Sequence, residues 1–155
     1  TFTLPYHNMS APLSVWATKD MRDIVRQSNA VIDYARWLYP GGEMIVSGIS
    51  RGGYLAAMYP RADRYFMFSP VIDWTQLTEW KGNPAGNPVG NPGSLPTFSD
   101  VPYFVYTANN DYGVNGSFVI GYVQSHCPHC TLVIGESGHS VPPNIFQEAV
   151  ADMPL

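Results

Sequence analysis

The sequence predicts an α/β fold with a mostly parallel sheet of about four to five strands and helices on both faces. Three observations support this. Short apolar runs typical of strands buried on both sides recur along the chain, helical periodicities separate them, and glycine or proline ends most of the predicted elements. Strands and helices that alternate in this way form parallel sheets covered by helices. Because the chain has 155 residues, we expect one domain over residues 1–155.

The first predicted element is an amphipathic helix. Residues 1–17 show no sustained period and carry two prolines, so they are interpreted as an irregular lead-in. From Thr18 to Leu38, apolar residues recur at helical spacing. Thr18 or Asp20 can cap the start, and Pro40 followed by two glycines ends the helix.

Strands and helices then alternate to the end of the chain. Strands are predicted over residues 44–49, 65–71, 103–108 and 131–134, and helices over residues 51–59, 114–123 and 145–153. The last helix is entered through Pro142 and Pro143. Residues 81–97 hold three Gly-Asn-Pro triplets, which have few backbone donors and little to bury. We expect a surface loop there, either a plain connector or a flap over a substrate.

The composition argues against two classes of partner. The net charge is −4 and no Lys/Arg-rich patch is present, whereas a nucleic-acid partner requires a positive surface. The sequence contains no run of about 18 apolar residues, so it predicts no membrane span. Two Asn-x-Ser sequons, at Asn8 and Asn115, favour an exported location only weakly, so the compartment is left open.

Cys127 and Cys130 lie in a Cys-Pro-His-Cys segment. In thiol-disulfide oxidoreductases the first cysteine of such a segment opens a helix, but this one lies between a predicted helix and a predicted strand. Four consecutive residues also reach poorly around a zinc ion. We therefore expect a small structural disulfide or two free thiols, and neither a metal nor a cofactor.

Residues 48–52 read Gly-Ile-Ser-Arg-Gly, the G-x-S-x-G pattern, between a predicted strand and a predicted helix. A sharp strand-to-helix turn pushes the Ser50 hydroxyl out of the sheet, and Gly48 and Gly52 leave room for the backbones to approach. The following helix points its N-terminus at the site, so the N–H of Arg51 is a natural oxyanion donor. The pattern therefore indicates that Ser50 is a nucleophile rather than an ordinary turn serine.

A nucleophilic serine needs a base, and the base needs an orienting acid. Asp111 follows the third predicted strand and His139 follows the fourth. The carboxyl ends of parallel strands meet at one edge of the sheet, so these side chains are expected to lie near Ser50. Asp73, just after the second strand, is the rival acid, and Asp111 can instead cap the next helix. The remaining histidines and one carboxylate are expected to be surface groups: His7, His126, His129 and Glu136.

The chain resembles the α/β-hydrolases, and within them the esterase and prolyl-oligopeptidase-like branch. The matching residues are 47–54, 68–71, 110–111 and 137–139, and the resemblance covers roughly residues 18–155. It implies Ser50 as nucleophile, Asp111 as acid and His139 as base. The early strands have no counterpart, and neither has the loop (often HGGG-type) that gives the second oxyanion N–H.

The resemblance therefore implies a reduced α/β-hydrolase fold or the C-terminal half of a longer protein. Without the early strands, the edge of the nucleophile strand is exposed to self-pairing, which leaves a homodimer as an open alternative. We expect a serine hydrolase that cleaves small-molecule carboxylic esters, with substrate contacts from the aromatic residues near the sheet edge: Tyr54, Trp74, Trp80 and Tyr112. A serine peptidase of the prolyl-oligopeptidase type and a catalytically impaired fragment or binding module are the alternatives.

Overall fold

The computed structural model describes residues 21–76 and 96–151. In chain order, its elements are α1 (Met21–Leu38), β1 (Ile45–Ile49), α2 (Arg51–Ala57), β2 (Arg64–Phe68), a 3₁₀ turn (Trp74–Gln76), β3 (Tyr103–Ala108), α3 (Gly116–His126), β4 (Thr131–Gly135) and α4 (Pro143–Ala151). Several sequence-based predictions lie outside the described residues: the lead-in over residues 1–17, the caps at Thr18 and Asp20, the sequon at Asn8, His7, Trp80, and the greater part of the loop over residues 81–97.

The four strands form one parallel sheet in the order β1-β2-β3-β4. The spatial order therefore repeats the chain order, and every crossover joins two neighbouring strands. Within the described residues, β1 and β4 are the edges of this sheet. The predicted fold class is confirmed, with four strands at the lower end of the predicted number.

Helices cover both faces of the sheet. In β2 the side chains alternate, so that Tyr65 and Met67 join one apolar cluster and Phe66 and Phe68 join another. The first cluster includes side chains of α1, α2 and α3, and the second includes side chains of α4. All six residues of β3 are buried, which explains why this strand is a continuous apolar run rather than an alternating one. Burial of each large apolar side chain contributes about 1.5–3 kcal/mol to this packing.

The element boundaries shift where the backbone forces them to. The second strand was predicted to reach residue 71 but ends at Phe68, because Ser69 adopts a φ of 41° and Pro70 has no N–H to continue the ladder. Helix α2 ends at Ala57 rather than residue 59, ahead of Pro60, which disfavours helical backbone in the residue before it. Helix α3 begins at Gly116 and not Val114, since the Asn115 side chain caps it by accepting the Phe118 N–H.

Cys127 and Cys130 form a disulfide, which decides between the two alternatives left open by the sequence. The bond closes the short connection between α3 and β4. The sequon residue Asn115 is part-buried, and its side-chain amide donates a hydrogen bond to Gln76 Oε1 at 2.9 Å. Across residues 21–76 and 96–151, none of the helices has both the length and the apolar character that a membrane crossing requires.

Candidate active site

Ser50 lies at a sharp turn between β1 and α2. Its φ is 56° and its ψ is −119°, a conformation that costs a non-glycine residue about 1–3 kcal/mol. Backbone hydrogen bonds hold the turn: the Ser50 N–H donates to Phe68 O at 2.9 Å, and Ser50 O accepts from Val71 N–H at 2.9 Å and from Gly53 N–H at 3.0 Å. The Ser50 side chain makes no capping hydrogen bond with α2. Both the N–H and the carbonyl of Ser50 are thus hydrogen-bonded to the backbone at the end of β2 or just after it, and the hydroxyl projects from the turn.

Two glycines allow this turn, Gly48 and Gly53, and only the first of them is indicated by the sequence pattern. A Cβ on Gly48 would lie 2.1 Å from Gly52 O, and a Cβ on Gly53 would lie 2.8 Å from Pro70 Cβ. A Cβ on Gly52 would meet no atom within 4 Å. The structure therefore confirms the close approach predicted at Gly48, assigns the second one to Gly53, and corrects the prediction for Gly52.

Ser50, His139 and Asp111 form one hydrogen-bonded chain. Ser50 Oγ lies 3.0 Å from His139 Nε2, and His139 Nδ1 lies 2.9 Å and 3.1 Å from the two carboxylate oxygens of Asp111. In the tautomer with its proton on Nδ1, His139 donates to Asp111 and accepts from the Ser50 hydroxyl. The Asp111 side chain is fully buried, whereas that of His139 is 44% exposed. The three groups therefore run from the interior of the protein to its surface.

The environment of Asp111 favours the ionised carboxylate. Burial raises the pKa of Asp111, but the hydrogen bond and the charge interaction with His139, together with the hydrogen bond from the Val114 N–H, outweigh it, so that the pKa is lowered from the ordinary value of 3.8. The Gly113 N–H also donates to Asp111 Oδ1, at 2.9 Å. A buried, ionised carboxylate on Nδ1 can orient the imidazole and stabilise its positive form.

Two side chains to which the sequence analysis assigns no role, Asn110 and Tyr106, hold the loop that carries His139. The Asn110 amide donates to Glu136 O at 2.8 Å, and its Oδ1 accepts from the Gly138 N–H at 3.0 Å. The Tyr106 hydroxyl lies 2.5 Å from Ser137 Oγ. No signal in the residue types alone points to these contacts, because each depends on the pairing of β3 with β4.

The remaining titratable candidates have other surroundings. The carboxylate that contacts His139 Nδ1 is that of Asp111 and not that of Asp73. The Asp73 charge acts instead on Tyr54, whose pKa is raised to about 12, chiefly by burial. Glu136 is exposed. His126 stacks on Tyr122 and His129 Nε2 lies 2.8 Å from Ser99 O, and neither of these contacts involves Ser50.

The structure corrects two of the predicted substrate contacts. Tyr54 and Trp74 are each 1% exposed, and their rings pack edge to face in the hydrophobic core, 5.4 Å apart. This burial leaves them no surface for a substrate. Tyr112, next to Asp111, is 80% exposed, as a substrate contact requires. A separate cleft of about 500 Å³ lies between α1 and Met58, and its lining includes none of the predicted site residues.

No protein-family model matches the chain, and no curated protein matches it either. Solved structures do match. A thermophilic esterase from Thermogutta terrifontis gives a TM-score of 0.63 at 16% identity, over 86% of this chain and 64% of that chain. An alpha-beta serine hydrolase homologue from Coxiella burnetii gives 0.58 at 13% identity, over 83% and 56%. The acylaminoacyl peptidase of Pyrococcus horikoshii gives 0.52 at 13% identity, over 70% and 22%.

These neighbours are members of the α/β-hydrolase superfamily, and the similarity shows that this chain has the α/β-hydrolase fold. The chain spans less than two thirds of the length of each of the three proteins. At these identities, the fold is all that the likeness establishes.

Proposed function

We propose that the chain is a serine hydrolase that cleaves small-molecule carboxylic esters by acyl transfer. Ser50 is the nucleophile, His139 the general base and Asp111 the orienting acid. The observation that carries the proposal is the continuous path from Ser50 Oγ through the imidazole to the buried carboxylate, with steps of 3.0 Å and 2.9 Å. The strained backbone of Ser50 supports it further, because strain of this kind is retained where it serves a site.

In the proposed reaction, Ser50 Oγ attacks the ester carbonyl carbon while His139 Nε2 takes the hydroxyl proton. The imidazolium that forms is stabilised by Asp111 across Nδ1. When the tetrahedral intermediate collapses, the bond to the alkoxy group breaks, and His139 gives the proton to the departing alcohol. Water then attacks the acyl-serine in the same manner, with His139 as base, and releases the carboxylic acid.

The negative oxygen of the tetrahedral intermediate needs donors. Arg51 directly follows the nucleophile as the first residue of α2, and its N–H is the proposed first donor. Removal of one such donor lowers kcat by about 10²–10³.

A fluorophosphonate probe tests the nucleophile, with the adduct located by mass spectrometry of the peptide containing residue 50. Hydrolysis of nitrophenyl acetate is measured alongside, in wild type and in Ser50→Ala. Ser125→Ala is the matched control, since Ser125 is exposed on α3 and its hydroxyl donates to Gly121 O. We expect labelling and turnover in wild type and in Ser125→Ala, and neither in Ser50→Ala. Equal ester turnover by wild type and Ser50→Ala would instead favour a non-catalytic module.

A serine peptidase is the second candidate. The fold similarity to the acylaminoacyl peptidase supports it, although the chain covers only 22% of that protein. The two candidates share the same nucleophile, so substrates rather than variants separate them. Hydrolysis of aminoacyl-nitroanilides without hydrolysis of nitrophenyl acetate would favour the peptidase over the esterase.

A further inference from the structure

The side chain of Asn110 continues the pairing of β3 with β4 beyond the point where the strands end. The last paired residues are Ala108 and Gly135, and the Asn109 N–H still donates to Gly135 O at 3.0 Å. At the next residue, the side-chain amide of Asn110 makes the hydrogen bonds in place of the backbone: its Nδ2 donates to Glu136 O at 2.8 Å, and its Oδ1 accepts from Gly138 N–H at 3.0 Å. A carboxamide has the donor and the acceptor of a peptide group, so it can add one more step to the hydrogen-bond ladder between β3 and β4.

These two bonds act on the backbone that leads directly into His139. Gly138 precedes the histidine and has a φ of 64°, a left-handed turn that glycine adopts readily. The bond from its N–H to Asn110 fixes the peptide group at the start of this turn. The next residue after Asn110 is Asp111, which holds the imidazole itself at 2.9 Å. Two consecutive residues therefore hold one histidine, the first through its loop backbone and the second through its ring.

We propose that Asn110 is a positioning residue of the hydrolytic site, whose carboxamide sets the approach of His139 Nε2 to Ser50 Oγ. This inference rests on the proposed function. The Asn110 side chain touches neither the substrate nor the reacting atoms, so Asn110 acts through the loop that carries His139. The loop has a second anchor, because Ser137 Oγ contacts the Tyr106 hydroxyl and donates to Ser140 O. Removal of the Asn110 amide is therefore expected to loosen the histidine without releasing the whole loop.

The experiment compares Asn110→Ala with Asn109→Ala. Asn109 is the adjacent residue of the same type, is exposed, and accepts a hydrogen bond from Ser117 Oγ rather than from the histidine loop. A displacement of about 1 Å between reacting groups can lower a rate by about 10²-fold. We expect Asn110→Ala to lower kcat and the fluorophosphonate labelling rate by about 10-fold to 100-fold, with KM within about twofold of wild type. We expect Asn109→Ala to retain both rates.

A second variant separates the two bonds. Asn110→Asp keeps the oxygen that accepts the Gly138 N–H and loses the donor to Glu136 O, so its labelling rate is expected to lie between those of wild type and Asn110→Ala. Amide hydrogen exchange at Gly138 is expected to accelerate in Asn110→Ala and to stay slower in Asn110→Asp. This readout reports the bond itself, and Asn110→Asp keeps the test informative if the alanine variant does not fold.

The outcomes separate this inference from the proposed function. If wild type is neither labelled nor active, the proposed function fails, and the role of Asn110 fails with it. If wild type is labelled and Asn110→Ala is labelled at the same rate, only the role of Asn110 is overturned. Equal losses in Asn110→Ala and Asn109→Ala would also overturn it, because they would indicate a general effect of shortening this turn.

Discussion

Replacement of Gly48 by alanine tests the geometry of the turn that holds Ser50. The new Cβ would lie 2.1 Å from Gly52 O and 2.2 Å from the carbonyl carbon of the same residue, whereas real Cβ atoms essentially never approach closer than 3.0 Å. The first turn of α2 must therefore move away from β1 by about 0.9 Å, the difference between 3.0 and 2.1 Å. The atoms in the way belong to the backbone, so no side-chain rotation can relieve the contact.

This displacement is comparable with the misplacement that costs a reaction about 10²-fold in rate. Overpacking of a rigid contact also costs about 1–3 kcal/mol of stability, and the backbone contact places Gly48→Ala at the upper end. For a protein of this size, a loss of about 3 kcal/mol corresponds to a fall in Tm of about 6–12 °C.

Gly52→Ala is the matched control, since it changes the other glycine of the same motif. A Cβ there meets nothing within 4 Å, and alanine is the better helix former, so stability is expected to stay level or rise by up to about 1 kcal/mol. Thermal unfolding and the fluorophosphonate labelling rate are measured for both variants. If Gly48→Ala has the same Tm and the same labelling rate as Gly52→Ala, the close approach of β1 to α2 described above is refuted.

Two further predictions concern the support of Asp111. Gly116→Ala places a Cβ 1.9 Å from Ala108 O, so we expect it to lower the free energy of unfolding, measured by chemical denaturation, by at least about 3 kcal/mol. The control is Gly121→Ala on the same helix, where a Cβ meets nothing within 4 Å, and we expect this variant to be as stable as wild type or more stable. Equal denaturation midpoints of the two variants would contradict this prediction. The pKa of Asp111 is lowered from 3.8 in the folded protein, so its ionised form contributes stability above pH 3.8 that is lost as acid protonates it. Urea unfolding from about pH 5 to pH 2 should therefore show a steeper loss in wild type than in Asp111→Asn, and parallel curves would refute the ionised, stabilising carboxylate.

The sequence was sufficient for the architecture because each strand is a short apolar run with a breaker after it. The predicted third strand, residues 103–108, coincides with the observed Tyr103–Ala108. The second strand ended early because of the φ of Ser69, which no periodicity can indicate. The positions of Ser50, Asp111 and His139 were predictable because parallel strands bring their carboxyl ends to one edge of the sheet.

The side chains around these three residues were less predictable. Tyr54 and Trp74 are aromatic and follow strands whose ends lie at the site edge, but the face on which each lies depends on how α2 and the 3₁₀ turn pack, and both are core residues. Asn110 is among the residues that carry the resemblance, but the sequence assigns it no role. An exposed asparagine in a turn is unremarkable by its type, and its two bonds arise only from the register of β3 against β4.

The sequential strand order has a consequence for the folding of the protein. Ser50 follows the first strand of the described sheet and His139 follows the last, so the strands that carry them lie three strand spacings, roughly 14 Å, apart. The hydrogen bond between them joins residues 89 positions apart in the chain. Contacts of such long sequence separation slow folding, because the chain must first close a large loop and lose the corresponding entropy. We therefore expect the Ser50–His139 pair to form only when β4 has docked, so that the return of fluorophosphonate labelling of Ser50 during refolding reports the docking of β4.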